Sequence, residues 1–250
     1  MTGPEAEGTG PPPGPVTAVV PAAGSGQRFG GDKLWAPIAG QPVLVWTLRA
    51  LADPASGVDG LVVAAPAAEH ERILAVARAV APRLPCRCTT GGDRRQASVA
   101  AGLRLCTTPW VVVHDAARPA VTPGLCAAVI AAAQRTGAAT AAEPVADTVA
   151  EVDRAWDPAG GAAPARLRSV PERARMVAVQ TPQAFRTDWL VQAHELARAT
   201  GRQADDDATL VLAQGHPVVV VAGEAANRKL TGRGDLAALT AWLAAAGAGR

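Results

Sequence analysis

A chain of 250 residues with 24 basic and 22 acidic side chains is close to neutral, which excludes a nucleic-acid track or an anionic membrane surface as its organising partner. No apolar run is long and unbroken enough to span a bilayer, and the length suits one α/β domain with an appendage better than two full domains. Alanine supplies much of the apolar content and only two Phe and no Tyr occur, so helices that pack closely and bury little area each are expected.

The opening "MTGPEAEGTGPPPGPV" is rich in Pro and Gly and lacks the apolar stretch of a signal peptide. Residues 1–15 are therefore expected to be a disordered tail, residues 16–250 one domain, and the protein cytoplasmic. Five β-type runs follow, at 17–22, 60–65, 85–90, 110–115 and 138–145. Between them lie the helical segments "VLVWTLRALA", "AAEHERILAVARAV", "RRQASVAAGLRL" and "PGLCAAVIAAAQRT". The runs are continuously apolar rather than alternating, the mark of parallel strands covered on both faces. Strand–helix alternation at this spacing predicts a three-layer, doubly wound, mostly parallel α/β sheet of Rossmann-like form, with its ligand edge at the strand C-termini. After Val145 the rhythm breaks. Residues 146–175 are polar and contain "DPAGGAAP", and are read as a projecting β-arm that reaches a second subunit. Order returns with a strand "MVAVQTP", helices near 186–200 and 205–214, a strand "PVVVVAG" and a last helix from about Gly234. The four cysteines form no C-x-x-C pair, so free thiols are expected. Cys86 and Cys88 are assigned to opposite faces of their strand.

Chemistry concentrates in the loops after the strands. In "PAAGSGQRFGGDK" a dinucleotide fingerprint would need a third glycine where Phe29 stands, and an acidic end to the second strand where Pro66 follows; a Walker loop would need G-K-[ST]. Both patterns fail. Small Ala22, Ala23 and Gly24 instead let backbone N–H groups approach a triphosphate, Gly26 permits a bend, Arg28 can fork onto phosphate oxygens and Lys33 supplies a mobile point charge. After the third strand, "GGDRRQASV" offers Gly92, a helix-capping Asp93 and Ser98 to a base and ribose. After the fourth, "HDAARP" sets Asp115 for Mg²⁺ and Arg118 for a second anion. Thr148, Thr181, Asn227 and Lys229 lie in later loops, each ordinary alone.

The opening loop resembles nucleotidyltransferases that activate sugar or polyol phosphates. Taken in order, "PAAGSGQRF…DK", "GGDRRQASV", "VVVHDAARP", "PVADTV", "QTPQAF" and "NRKLT" resemble the 2-C-methyl-D-erythritol 4-phosphate cytidylyltransferase family over about residues 17–243. The resemblance implies a homodimer whose site binds CTP, Mg²⁺ and the polyol phosphate. It assigns Arg28 and Lys33 as catalytic cations, and Gly92, Asp93 and Ser98 to cytidine. Asp115 goes to metal and substrate, and Arg118, Thr148, Thr181 and Lys229 to the substrate phosphate and polyol, Lys229 also touching the nucleotide. An arm arginine, best matched by Arg173 with Arg168 and Arg175 as competitors, should reach the partner subunit's substrate. Three positions depart from the family pattern: Leu34–Trp35 stands where Gln and an aromatic are usual, Ala226 replaces an acid, and Ala150 replaces a lysine. Two alternatives stay open at this stage, a ribitol 5-phosphate cytidylyltransferase and a non-catalytic nucleotide-binding module. A dehydrogenase is disfavoured by Phe29 and Pro66.

Overall fold

Val16–Pro21 (β1) is buried over almost its whole length, a pattern that demands cover on both faces. The computed structural model describes residues 12–24, 29, 31–156 and 164–247. Within them the chain runs on through two short strands, Pro37–Ile38 (β2) and Gln41–Pro42 (β3), then helix Val43–Ala52 (α1), strand Gly60–Ala65 (β4), helix His70–Val80 (α2), strand Cys86–Thr90 (β5) and helix Arg95–Leu103 (α3). Strand Trp110–Val113 (β6), helix Pro123–Thr136 (α4), strand Ala138–Pro144 (β7) and the two short strands Glu151–Val152 (β8) and Leu167–Ser169 (β9) follow. Strand Val177–Arg186 (β10), helices Thr187–Thr200 (α5) and Asp207–Leu212 (α6), strand Val219–Ala222 (β11) and helix Asp235–Gly247 (α7) complete it.

Seven strands form one sheet in the order β11-β7-β10-β6-β1-β4-β5. All neighbours run parallel except β10, which is antiparallel to both β6 and β7. One face carries α1, α2, α4 and α7, packed through Leu44, Leu48, Ile73, Val129 and Leu239. The other carries α3, α5 and α6, packed through Val99, Leu190 and Val211. β1 serves both layers, because Ala18 and Val20 face one and Val19 the other. The predicted three-layer, mostly parallel α/β sheet is therefore found, and the segments 43–52 and 123–136 are helices over their full predicted lengths. Helix α4 is clearly signalled: Thr122 caps it by accepting from Leu125 N–H, Pro123 opens it and Gly137 closes it.

Cys86 and Cys88 do not point to opposite faces. Residues two apart on a strand share a face, and both thiols lie half-buried against the α1–α2–α4 layer, with exposed Arg87 between them. All four cysteines are free, and burial pushes the Cys86 thiol up to about 12, with the neighbouring Cys88 adding to the shift. At the N-terminus the last residues assigned to the tail have partners: Trp110 Nε1 donates to Pro12 O at 3.1 Å and Gln134 Nε2 donates to Gly14 O at 3.1 Å. Between β7 and β10 the short strands β8 and β9 pair as a separate antiparallel ribbon. Residues 157–163, which hold most of "DPAGGAAP", lie outside the described residues.

Gly137 is the tightest point of the helix–strand joint. Its φ is +95°, and a Cβ there would sit 2.3 Å from the Trp189 ring. Gly137→Ala is expected to lower unfolding stability by at least ~2 kcal/mol, from backbone strain plus overpacking. Urea denaturation followed by circular dichroism measures this; a variant as stable as the parent would show that the Trp189 ring moves aside freely.

Candidate active site

The C-terminal ends of β1, β4, β5 and β6 meet at one rim, and a small cavity opens there. It is lined by Ala22, Ala23, Gly24, Lys33, Leu34, Arg95, Ser98, Asp115, Ala116 and Lys229, among others. Residues from five separate stretches of sequence thus converge at the edge where doubly wound sheets bind ligands.

Asp115, two residues beyond β6, is the centre. Its Oδ1 accepts from Arg95 Nε at 2.7 Å, its Oδ2 lies 2.7 Å from Lys229 Nζ, and Arg118 Nε stands 4.0 Å away. The carboxylate is nearly enclosed. Burial alone would raise its pKa, but the charges and hydrogen bonds of Arg95 and Lys229 outweigh that and hold it well below the usual carboxylate range. Arg95 reaches further. Its Nη1 binds Asp207 Oδ2 at 2.7 Å, and Asp207 Oδ1 meets His194 Nε2 at 2.8 Å. Burial works against the charged guanidinium, but Asp207 and Asp115 together raise its pKa above the ordinary arginine value. The same ion pair keeps fully buried Asp207 ionised against its own desolvation. Gln183 Oε1 fixes the turn beneath by accepting from the N–H groups of Asp207 and Ala208, both at 3.2 Å.

A second, neutral set of bonds locks Asp115 from behind. Its backbone N–H donates to Thr181 Oγ1 at 3.0 Å, Thr181 Oγ1 lies 3.2 Å from His114 Nδ1, and His114 Nε2 lies 3.1 Å from Arg118 O. A carbonyl only accepts, so Nε2 carries the proton, and Nδ1 accepts from the Thr181 hydroxyl. Burial drives the His114 pKa down to about 4, partly opposed by its bond to Arg118 O. Arg118 Nη1 donates to Asn227 O at 2.8 Å, while the Asn227 amide donates to Thr181 O at 2.7 Å and Gln180 Oε1 at 3.0 Å. Asn227 thereby carries Lys229 to the rim.

The expected site residues divide into groups. Ala22, Ala23, Gly24, Lys33, Ser98, Asp115 and Lys229 come together at the cavity, and Arg118 adjoins it through Asp115. Gly26 and Arg28 lie outside the described residues. The Ala22 N–H is not free for phosphate, because it donates to Ala64 O at 2.7 Å. Asp93 does not cap α3: Arg94 holds the cap position with no side-chain cap bond, and Asp93 is exposed. Ser98 lines the cavity but is buried and bonded to its own turn. Its hydroxyl accepts from Gly92 N–H at 3.1 Å and lies 3.1 Å from Arg94 O, so it shapes the Gly91–Arg94 turn. That turn packs tightly, since a Cβ on Gly91 would come within 2.4 Å of Ala23 Cβ. Thr181 is buried and spends its hydroxyl on Asp115 and His114. Thr148 and Arg173 are exposed at the root of the arm, away from the cavity lining, and Arg173 Nη1 donates to Ala146 O at 2.9 Å.

The surroundings of Asp115 do not fit a resident Mg²⁺. Both carboxylate oxygens already face cations at 2.7 Å, and among the described residues no group of three His, Cys, Asp or Glu could hold a metal. Asp115 is a counter-ion that aligns three cations. Arg95, Asp207, His114 and His194 were given no role from sequence. One signal for Arg95 was available: a cation in the first turn of a helix opposes the helix dipole, so it needs acidic partners from elsewhere.

Over residues 16–245 the chain matches the family model described as IspD: 2-C-methyl-D-erythritol 4-phosphate cytidylyltransferase. The chain belongs to that family. A protein of this name from Thermus thermophilus is 43% identical over 88% of this chain and 93% of its own length. Another from Synechococcus sp. is 39% identical over 87% and 92%. The crystal structure of the Thermus thermophilus enzyme superposes with a TM-score of 0.70 at 36% identity, covering 90% of this chain and 98% of that one. In this chain the Asp115 carboxylate gathers Arg95, Arg118 and Lys229.

The neutral, buried His114 makes the site acid-sensitive. Between pH 6.5 and about 4 the unfolded chain binds a proton here that the folded chain does not, so stability falls as pH falls through that window. Asp115 and Asp207, held low, contribute their losses only below about pH 4. Stability should drop by about 2 kcal/mol more between pH 7 and pH 5 in the parent than in His114→Gln. Urea titrations at the two pH values test this; equal drops in both proteins would remove His114 as the source.

Proposed function

We propose that this protein transfers CMP from CTP to 2-C-methyl-D-erythritol 4-phosphate, releasing pyrophosphate. The observation that carries the reading is the rim cavity itself, lined by Lys33 together with Arg95 and Lys229, the last two paired with the Asp115 carboxylate. Both reactants are polyanions, so their encounter is repulsive until fixed cations offset it. A polyol phosphate oxygen attacks the α-phosphorus of CTP, a new P–O bond forms, and the bond to the bridging oxygen of pyrophosphate breaks. The attacking phosphate is already ionised, so no side-chain base is required. Positioning and electrostatic stabilisation supply the rate.

Each residue then has a task. Ala23 and Gly24 lead the chain past the triphosphate, and Lys33 offsets the charge that grows toward the leaving pyrophosphate, with Arg28 as its proposed companion. Arg95 and Arg118 are half-buried and held by several partners, whereas the Lys229 side chain is 38% exposed. Lys229 can therefore turn from Asp115 to a phosphate oxygen when substrate arrives. CTP brings any Mg²⁺ it carries, and Asp115 is given no part in holding it. A homodimer formed through the arm belongs to the same reading. It is supported by apolar side chains left exposed on and beside the arm, Trp156, Leu167 and Val170 among them. In such a dimer Arg173, at the arm's root, serves the partner's polyol phosphate. No helix among the described residues is long and apolar enough to cross a membrane, which accords with a cytoplasmic enzyme.

Pyrophosphate release from CTP in the presence of 2-C-methyl-D-erythritol 4-phosphate is the direct assay. Lys33→Ala should lower kcat by roughly 10²-fold, the loss of one well-placed transition-state charge, with its circular dichroism spectrum unchanged. Absence of pyrophosphate release by the parent protein, or a near-normal rate in Lys33→Ala, would overturn the assignment.

A further inference from the structure

The segment that carries Lys33 is held unevenly. Upstream, Phe29 is buried in the core and its carbonyl accepts from Arg233 Nε at 3.5 Å, but Asp32 is exposed and a Cβ on Gly31 would meet nothing within 4 Å. Downstream it is fixed at alternate residues. Leu34 is buried, its N–H donates to Asp32 Oδ1 at 3.2 Å, and its carbonyl accepts from Leu44 N–H at 3.0 Å. Ala36 O accepts from Val43 N–H at 3.1 Å. Between these anchors Trp35 packs half-buried against the core, and the guanidinium carbon of Arg72 lies 3.6 Å from its ring centroid. That is stacking distance for a planar cation on an aromatic face. Arg72 is otherwise weakly engaged, with Glu69 Oε2 at 3.8 Å.

Arg72 stands on a rigid post. It leaves the first turn of α2, where the His70 ring bonds Ala65 O at 3.1 Å at the end of β4 and Ile73 is buried in the core. We propose that Trp35 and Arg72 form a clamp that ties the Lys33 segment to α2, making both of them positioning residues for Lys33. The unusual Leu34–Trp35 pair then has a division of labour. Leu34 anchors the segment inward to the core, and Trp35 anchors it sideways to the neighbouring strand–helix unit. The clamp rests on the proposed role of Lys33. Because Lys33 is assigned to charge that develops during reaction, loosening the clamp should lower kcat and leave KM nearly unchanged.

The test compares Arg72→Ala, Arg72→Lys and Lys33→Ala with the parent in the pyrophosphate-release assay, alongside thermal melts and hydrogen exchange of residues 31–36. The Arg72 side chain is 57% exposed, so its removal spares the core. Arg72→Ala should lose about fivefold in kcat (~1 kcal/mol) with KM for both substrates within about twofold and Tm unchanged. Exchange at 31–36 should quicken, and Arg72→Lys should recover at least half the rate. In a Lys33→Ala background, Arg72→Ala should have no further effect on kcat. Unchanged kcat and unchanged exchange in Arg72→Ala, while Lys33→Ala is impaired, would sink the clamp and leave the assigned function standing. So would a kcat loss matched by a falling Tm and not restored by lysine. A near-normal rate in Lys33→Ala would instead remove the role of Lys33, and the clamp with it.

Discussion

One guanidinium holds the site together. Arg95 bridges Asp115, at the end of a central strand, and Asp207, at the start of a helix from the far end of the chain, with 2.7 Å contacts to each. Two buried carboxylates so close to one another would repel, and each alone would be costly to ionise. The shared cation makes both ionised states tenable, and in return the two acids offset the unfavourable placement of a positive charge in the first turn of α3. Removing Arg95 would leave fully buried Asp207 with the His194 ring alone as its partner and Asp115 with Lys229 and Arg118, a loss on the order of 3 kcal/mol.

From that bridge the order of the rim follows by contact. Asp115, fixed on one side by Arg95 and from behind by Thr181, fixes Lys229. His114 stays neutral and so can lock Thr181 and Arg118 O without adding a charge of its own. Positive charge exceeds negative at the rim, and its two guanidiniums are held in place by Asp115, Asp207 and Asn227 O. A phosphate arriving there meets donors that are already oriented, so little reorganisation accompanies charge transfer. Asp115 keeps like charges together that would otherwise separate.

The fold was legible where physics is local. Continuous apolar runs revealed the parallel strands, and the Thr122–Pro123 start and Gly137 stop bounded α4. The antiparallel course of β10 was not legible, because a strand's direction is set by the loops that deliver it, and here one of those is the long arm. The pair β2–β3 escaped notice because two-residue strands have no period to read. The rim was legible as a set of loops at one sheet edge, and its motif order resembled one family. What remained hidden was which side chains face outward. Ser98, Thr181 and the Ala22 N–H had the right chemistry for a ligand, but the folded chain uses them to hold itself in shape. The Arg95–Asp207 pair joins residues far apart in sequence, and no local pattern links them.

The reversed strand β10 has a geometric outcome of its own. Because β7 runs toward the rim and β10 runs away from it, Pro144 pairs with Val177 at that same border of the sheet. Whatever the chain inserts between them must emerge at the sheet edge that also bears the candidate cavity. Evolution could therefore lengthen or recolour that excursion to couple two copies without disturbing the strands beneath. Any partner gripping it would sit, by topology alone, along the same border of the sheet.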